Sequence, residues 1–151
     1  MPQQPRDEAL APQTVAAINE LYRRTDELYH EVARRAGFAD CAFEILYSLM
    51  MRDGLTQKQL CGTSYSTKQT VSSSIKRLRA DGLVETRGEG RERTVHLTRA
   101  GKAAVRKRIR PVYEAECAAV EVFTPAKQKR LIAETARYLE SLSAQLDALG
   151  L

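Results

Sequence analysis

The stretch STKQTVSSSIKRLRADG, residues 66–82, decides the fold. Val71, Ile75 and Leu78 lie four and three residues apart, which is the period of an amphipathic helix with one buried face. Serine is a mediocre helix former, so three serines in a row indicate a thin polar surface that another molecule approaches closely. The outward side chains are small, polar or basic: Thr67, Lys68, Gln69, Ser72, Ser73 and Lys76, with Arg77 and Arg79 toward the edges and Ser74 able to pack inward.

Capping residues predict where this helix and its two predecessors begin. Asp40 can cap a helix with the sequence CAFEILYSLMM, and Thr56 can cap a short helix, QKQLC, that ends at Gly62. Thr67 can cap the serine-bearing helix, which Gly82 closes. The sequence therefore predicts three consecutive helices, of which the third carries the polar face.

Two short β segments follow these helices. LVETR and RTVHL are separated by GEGRE, and Gly88 and Gly90 give this tip the freedom to turn. Helix, short helix, turn, helix and hairpin, in that order, make a winged helix-turn-helix. We therefore expect a mainly α protein with a small β-hairpin wing, whose winged helix-turn-helix core spans about residues 40–98.

Long helices flank this core at about residues 12–36 and 99–149, which together with the core would make one domain over residues 1–151. The second flank should kink or break at Pro111 and resume at Thr124, a cap followed by Pro125. Both flanks carry apolar stripes, and a stripe of this kind needs a partner. The stripes are Val15, Ile18, Leu21, Tyr22, Thr25, Leu28, Tyr29 and Val32 in the first flank and Leu131, Thr135, Tyr138, Leu142, Leu146 and Leu149 in the last.

The positive charge of the chain is concentrated. The 151 residues carry a net charge of +5, but residues 66–110 hold 13 Lys and Arg against 4 Asp and Glu, a local net charge of +9. A basic block with mildly acidic flanks is typical of a nucleic-acid contact surface, although a well-solvated basic face is the alternative. The N-terminus is polar, no apolar run is long enough for a membrane span, and the three cysteines form no C-x-x-C pair. These features predict a cytoplasmic protein.

Such a fold places its second motif helix in the major groove of DNA and the tip of its wing at the backbone or the adjacent minor groove. Small hydroxyl side chains would let the helix backbone lie close to base edges, while neighbouring Lys and Arg hold phosphates. Gln69 is the sharpest candidate for reading a base, because its amide can pair bidentately with adenine. The alternative for Gln69 is an ordinary solvated helix residue.

The ordered motifs of this region resemble those of the MarR family of bacterial transcription regulators. They are GLV at Gly82 to Val84, a wing of the form D-x-R at Glu89 to Arg91 with Glu in place of the usual Asp, and LT..G at Leu97 to Gly101. The resemblance implies a homodimer, held together by the first and last helices, that binds a pseudo-palindromic operator on double-stranded DNA and by default represses transcription. It further implies that Arg91 inserts into the minor groove, oriented by Glu89. Arg93 is a second cation at the wing tip of this sequence.

The resemblance also implies a small phenolic or lipophilic effector, bound near the junction of the flanking helices and the DNA-binding region. The aromatic and histidine side chains available to line such a pocket are Tyr22, Tyr29, His30, Phe43 and Tyr47. Aromatic residues at helical spacing are also typical of a plain hydrophobic core, which is the alternative for each of them.

Redox, metal and enzyme functions find little support in the sequence. Peroxide-sensing relatives keep their reactive cysteine in the first helix, whereas the first cysteine here is Cys41, and Cys61 and Cys117 fit the role of small buried hydrophobes. His30 and His96 have no zinc-ligand spacing, and no catalytic motif is present, so we expect no cofactor and no enzyme. The alternative function is a winged protein-interaction module without specific DNA readout, which would expose aromatic or aliphatic anchors.

Overall fold

A computed structural model describes residues 10–64 and 66–150, apart from the side chain of Arg91. The chain contacts divide it into two compact units, one ending at Pro111 and one beginning at Val112. The helices and strands of the described residues, in chain order, are α1 (Leu10–Ala36), α2 (Asp40–Met51), β1 (Leu55–Thr56), α3 (Gln57–Thr63), α4 (Lys68–Ala80), β2 (Val84–Arg87), β3 (Thr94–Leu97), α5 (Arg99–Arg108), α6 (Arg110–Val120) and α7 (Pro125–Asp147). The fold class predicted from the sequence, mainly α with a small β wing, is confirmed.

The caps of α3 and α4 are those that the sequence predicts. The Thr56 hydroxyl accepts a hydrogen bond from the Gln59 N–H, and the Gln59 side chain accepts one from the Thr56 N–H, which completes a capping box. At α4 the Thr67 hydroxyl accepts from the Thr70 N–H at 3.2 Å. Two orphan donors at the start of α3 and one at the start of α4 are thereby satisfied.

The prediction that Asp40 caps α2 is wrong. Ala39 occupies the N-cap position with extended backbone angles, and Asp40 is the first helical residue, with no side-chain cap. Its carboxylate lies 2.9 Å from Nδ1 of His30 on α1 instead. A carboxylate in the first turn still interacts favourably with the positive end of the helix dipole, which explains why Asp is accommodated there.

The wing contains one more strand than the sequence predicts. The strand order is β1–β3–β2 with both pairs antiparallel, so β3 is central and β2 is an edge strand. Leu55 of β1 is opposite Val95, and Val84 of β2 is opposite Leu97. A two-residue strand such as β1 is too short to give an alternating pattern, which is why it has no signature in the sequence.

The core of the first unit lies under α4. Val71, Ile75 and Leu78 are buried, as their spacing predicts, and Leu46 of α2 and Leu60 of α3 are fully buried with them. Burying side chains of this size contributes about 1.5–3 kcal/mol each. The polar face of α4 is therefore held outward by the same helix that supplies much of the core.

The end of α4, the strand β2 and the start of α5 meet at Thr98, which caps α5. Its hydroxyl lies 2.6 Å from the carbonyl oxygen of Gly82 and accepts a hydrogen bond from the Gly101 N–H at 3.0 Å. Its N–H donates to the Leu83 carbonyl oxygen at 3.1 Å. A Cβ atom on Gly101 would lie only 1.9 Å from that same oxygen, so no larger residue fits there. The GLV and LT..G motifs are thus two halves of one joint, which we call the Thr98 joint (Gly82, Leu83, Thr98, Gly101).

Helix α1 combines charged pairs with an exposed apolar stripe. Arg34 and Arg35 donate to the carboxylate of Glu31 at 2.7 to 2.8 Å, and these bonds hold the pKa of Glu31 down to about 2. Among the apolar positions, Leu21 and Leu28 remain 59% and 67% exposed. Helix α1 therefore leaves an apolar surface, which includes Leu21 and Leu28, exposed to solvent.

The predicted interruption at Pro111 is confirmed, because α5 ends at Arg108 and α6 begins at Arg110. In the second unit, α7 is capped by Thr124 with Pro125 at its first turn, as predicted. The side-chain amide of Gln128 donates to the carbonyl oxygens of Val120 and Phe123 and so secures the turn between α6 and α7. Within the described ranges, no helix is both long and apolar enough to cross a lipid bilayer.

Candidate nucleic-acid interface

The outward face of α4 is polar and cationic. Gln69, Ser73 and Lys76 are exposed and are spaced by four and three residues, which aligns them along one side of the helix. Lys68 and Arg77 are exposed beside this row. None of the four cations of α4 forms an ion pair within the part of the chain that the structure describes: Lys68, Lys76, Arg77 and Arg79. Their charges are therefore available to an external anion.

The hydroxyl groups of this region are not equally available. Thr67 uses its side-chain oxygen to cap α4 and also lies 2.9 Å from the Thr70 hydroxyl. The Ser73 hydroxyl donates to the Gln69 carbonyl oxygen at 2.9 Å, which leaves its lone pairs as acceptors. Ser72 and Ser74 are half-buried, so the inward tendency expected of Ser74 is seen for both. In this arrangement Ser73 is suited to accept from a base amino group and Thr67 serves the helix.

A polar network fixes the turn that precedes α4. The Ser64 hydroxyl donates to the Glu44 carboxylate of α2, and the Ser66 N–H donates to the Ser64 oxygen at 3.0 Å. The Ser48 and Thr63 hydroxyls are 3.0 Å apart and tie α2 to the end of α3. These hydrogen bonds tie the segment between α3 and α4 to α2.

The wing tip is a short 3-10 turn at Gly90–Glu92 rather than an open loop. Gly88 and Gly90 both have positive φ, as predicted for this tip. Glu89 precedes the turn and Arg93 follows it, and both are exposed. The side chain of Arg91 lies outside the described residues, so its relation to Glu89 stays a prediction.

The root of the wing is braced by a histidine. His96 on β3 is only 19% exposed at its side chain, and its Nδ1 lies 3.4 Å from the Asp53 carboxylate. Its Nε2 lies 2.9 Å from the Thr94 hydroxyl, and Asp53 also accepts the Leu97 N–H at 2.9 Å. Asp53 lies 44 residues before Leu97, and no spacing rule in the sequence links the two.

An open groove of about 540 Å³ separates α4 from β2. Its lining combines two cations and one carboxylate with small and apolar side chains: Lys76, Arg79, Ala80, Val84, Glu85 and Thr86. Arg79 was placed only at an edge by the sequence pattern, and Thr86 and the groove itself were missed. The sequence feature that could have indicated this groove is Arg79, a cation on the side of α4 that faces the wing.

Residues 36–93 match a family model described as MarR family. In the structure these residues form most of a winged helix-turn-helix, the fold expected from that match. Similar structures with this fold include a MarR family regulator from Neisseria meningitidis, with 23% identity, a TM-score of 0.78, and coverage of 89% of this chain and 96% of that one. No curated protein sequence matches the chain.

Two further structures are similar to this chain. S. aureus MepR, in complex with DNA, has 19% identity and a TM-score of 0.65, with coverage of 84% of this chain and 96% of that one. Bordetella bronchiseptica BpsR, whose DNA binding is regulated by 6-hydroxynicotinic acid, has 17% identity and a TM-score of 0.62, with coverage of 91% and 98%.

The five side chains suggested for an effector pocket lie on α1 and α2 and differ in burial. Phe43 is buried and its ring centroid lies 6.3 Å from that of Tyr47. His30 pairs with Asp40, whereas Tyr22 and Tyr29 are 49% and 43% exposed on α1. The structure brings the rings of Phe43 and Tyr47 together, and the effector pocket stays a prediction.

The cysteines of the chain differ in burial. Cys41 is buried, whereas Cys61 and Cys117 are half-buried, so the expectation that both are buried hydrophobes is too strong. In the described segments, no three His, Cys, Asp or Glu side chains are grouped as ligands for a metal ion.

Proposed function

We propose that the protein is a sequence-specific regulator of transcription that binds double-stranded DNA through α4 and the wing. The observation that carries this proposal is the outward face of α4. It presents a glutamine, a serine and four cations without an ion-pair partner among the described residues, on a helix whose other face is core. Helices of this kind enter the major groove, with amides and hydroxyls at base edges and cations at phosphates. The DNA complex of MepR, which has the same fold, supports this use of the fold.

We further propose that the protein acts as a homodimer on a pseudo-palindromic operator. Among the described residues, every large hydrophobic side chain that is exposed, apart from Met51, lies on α1 or between positions 120 and 149. Apolar surface of this extent is typical of an interface, and a second copy supplies a matching set. Two copies of α4 would then meet successive major grooves, about one helical turn apart.

Repression by occlusion of promoter DNA, relieved by a small phenolic or lipophilic effector, completes the proposal. The regulation of BpsR by 6-hydroxynicotinic acid supports an effector of this class. We place the protein in the bacterial cytoplasm and assign it no catalytic activity and no cofactor.

The alternative, a winged protein-interaction module, fits the molecule less well. In the described part of α4 and the wing, no large hydrophobic side chain is exposed. Partner-binding helices usually present aromatic or aliphatic anchors, and the α4 face presents a glutamine, a serine and cations instead.

The decisive test is fluorescence anisotropy on duplex DNA from the region upstream of the gene and on the same bases in scrambled order, titrated over salt. We expect tighter binding to the upstream duplex and a steep loss of affinity with salt, since several phosphates are neutralised. Weak binding without preference for either duplex at every salt concentration would contradict a role as specific regulator. A pull-down with the full protein as bait would then test the alternative, a winged protein-interaction module.

Gln69→Ala is expected to narrow the affinity gap between the upstream and scrambled duplexes by about 1–3 kcal/mol, because a bidentate contact to a base is lost. Lys68→Ala, one position earlier on the same exposed turn, is the matched control. It should weaken both duplexes equally, since phosphates carry no sequence information. An unchanged gap in the Gln69 variant would remove this residue from base readout.

Arg91→Ala is expected to weaken binding to both duplexes with little change in their ratio. A wing arginine in the minor groove reads groove width and charge more than base identity. The same anisotropy titration measures both affinities, and Arg93→Ala shows how much any cation at the tip contributes. Equal losses in the two variants would indicate general charge attraction and would argue against a specific role for Arg91.

A further inference from the structure

The turn between α2 and β1 contacts the central strand of the wing. Asp53 lies in this turn, two residues before Leu55, and Leu97 lies two residues after Val95 on β3. Because Leu55 is opposite Val95, continuing the register of this antiparallel pair would place Asp53 opposite Leu97. Strand β1 begins only at Leu55, so the N–H of Leu97 lies beyond its end.

The side chain of Asp53 takes the place of a further strand residue. Its Oδ1 accepts the Leu97 N–H at 2.9 Å, and its Oδ2 lies 3.4 Å from Nδ1 of His96. Leu97 is buried, and a buried N–H without an acceptor is destabilising. The His96 ring also packs on the backbone of the turn, because a Cβ atom added to Gly54 would lie 2.8 Å from its Cε1.

This contact lies on the side of β3 that faces away from β2. On the β2 side, the next residue, Thr98, donates its N–H to Leu83 as part of the Thr98 joint. The end of β3 is therefore held at both edges, by the joint on one side and by Asp53 on the other. Strand β1 adds only two residue pairs to the Asp53 side, so the Asp53 carboxylate is a large part of what fixes the orientation of β3 there.

We propose that Asp53 is a positioning residue for DNA binding, which sets the orientation of the wing by holding β3 through Leu97 and His96. The inference rests on the proposed function, in which the wing tip with Arg91 reaches the minor groove. A carboxylate repels phosphates, so charge alone would make removal of Asp53 raise the affinity for DNA. Positioning predicts the opposite sign, a loss of affinity.

The test is a double-mutant cycle of Asp53→Ala and Arg91→Ala, measured by anisotropy on the upstream duplex. Asp53→Ala removes the acceptor of the Leu97 N–H, and we expect a loss of affinity of about fivefold or more when Arg91 is present. In the Arg91→Ala background the same change should cost less than about twofold, because a wing without this arginine gains little from its orientation. A substitution that merely lowers stability would reduce affinity by the same factor in both backgrounds.

Asp53→Asn is the matched control. Its amide oxygen can still accept the Leu97 N–H, whereas the negative charge is lost. This variant should bind the duplex at least as tightly as the wild type. A loss as large as that of Asp53→Ala would contradict the role assigned to the hydrogen bond with Leu97.

Hydrogen exchange of the protein without DNA, read by mass spectrometry, supplies a second readout. In Asp53→Ala the backbone amides of β2 and β3 should exchange faster than in the wild type, and those of α4 should keep the wild-type rate. Equal exchange rates of the wing in the two proteins would show that Asp53 does not hold β3 and would overturn the inference.

The outcomes separate this inference from the function on which it rests. If the wild-type protein binds the duplex and Asp53→Ala costs the same factor in both backgrounds, or nothing, the positioning role is refuted and the DNA-binding function stands. If exchange in the wing rises but the wild-type protein binds no duplex, the proposed function fails while the contact of Asp53 with the wing stands. A loss confined to the background that keeps Arg91 supports both.

Discussion

Gly101→Ala is expected to destabilise the protein by at least about 3 kcal/mol, through a clash that the fold cannot relieve locally. The added Cβ would lie 1.9 Å from the carbonyl oxygen of Leu83, which is backbone and not the tip of a flexible side chain. The start of α5 would have to move away from the end of α4 and break the hydrogen bonds of Thr98. Urea unfolding followed by circular dichroism measures the free energy of unfolding directly.

Gly62→Ala is the matched control for this variant. Gly62 lies in α3, and an added Cβ there would meet nothing within 4 Å. Alanine is favoured over glycine within a helix by about 0.5–1 kcal/mol, so this variant should be as stable as the wild type or slightly more so. If both alanine variants unfolded at the wild-type urea concentration, the Thr98 joint would not be the constraint described here.

Leu142→Glu is expected to convert the proposed homodimer into a monomer and to lower affinity for an operator by about 10²-fold or more. A carboxylate in an apolar interface cannot keep its hydration, and separate protomers lose the gain from binding two half-sites together. Leu142 is 37% exposed and belongs to the apolar stripe of α7. Light scattering coupled to size exclusion gives the mass, and anisotropy gives the affinity.

Ala144→Glu adds the same charge two residues later, on the opposite side of the helix from the stripe. It should leave both mass and affinity at the wild-type values. A wild-type protein that runs as a monomer would contradict the dimer itself, and a Leu142 variant that remains dimeric would move the interface elsewhere.

The sequence predicted the elements that carry strong local signals. Helix α4 combines a Thr67 cap with three apolar residues at helical spacing, and Pro111 cannot continue a helix without a break, so both were located correctly. The wing strands have turn residues between them and alternate buried and exposed positions. Each of these signals lies within a few residues of the feature that it predicts.

The features that the sequence did not predict depend on distant contacts or on competition between neighbours. Strand β1 exists because Leu55 pairs with Val95, and Asp53 has a role because it reaches the backbone of Leu97. Asp40 is predicted to cap α2 because its residue type fits. Ala39 occupies the N-cap position instead, and the Asp40 carboxylate pairs with His30. The groove depends on how closely β2 approaches α4, which no spacing encodes.

The Thr98 joint also constrains how the proposed DNA binding can be controlled. It joins the end of α4 to the start of β2, which leads into the wing, and to the start of α5, which follows the wing. The distance between α4 and the wing is therefore fixed when the chain folds. An effector that abolishes the proposed DNA binding would then act most easily by changing the spacing between the two protomers of the proposed dimer. A change in the distance between α4 and the wing would require partial unfolding.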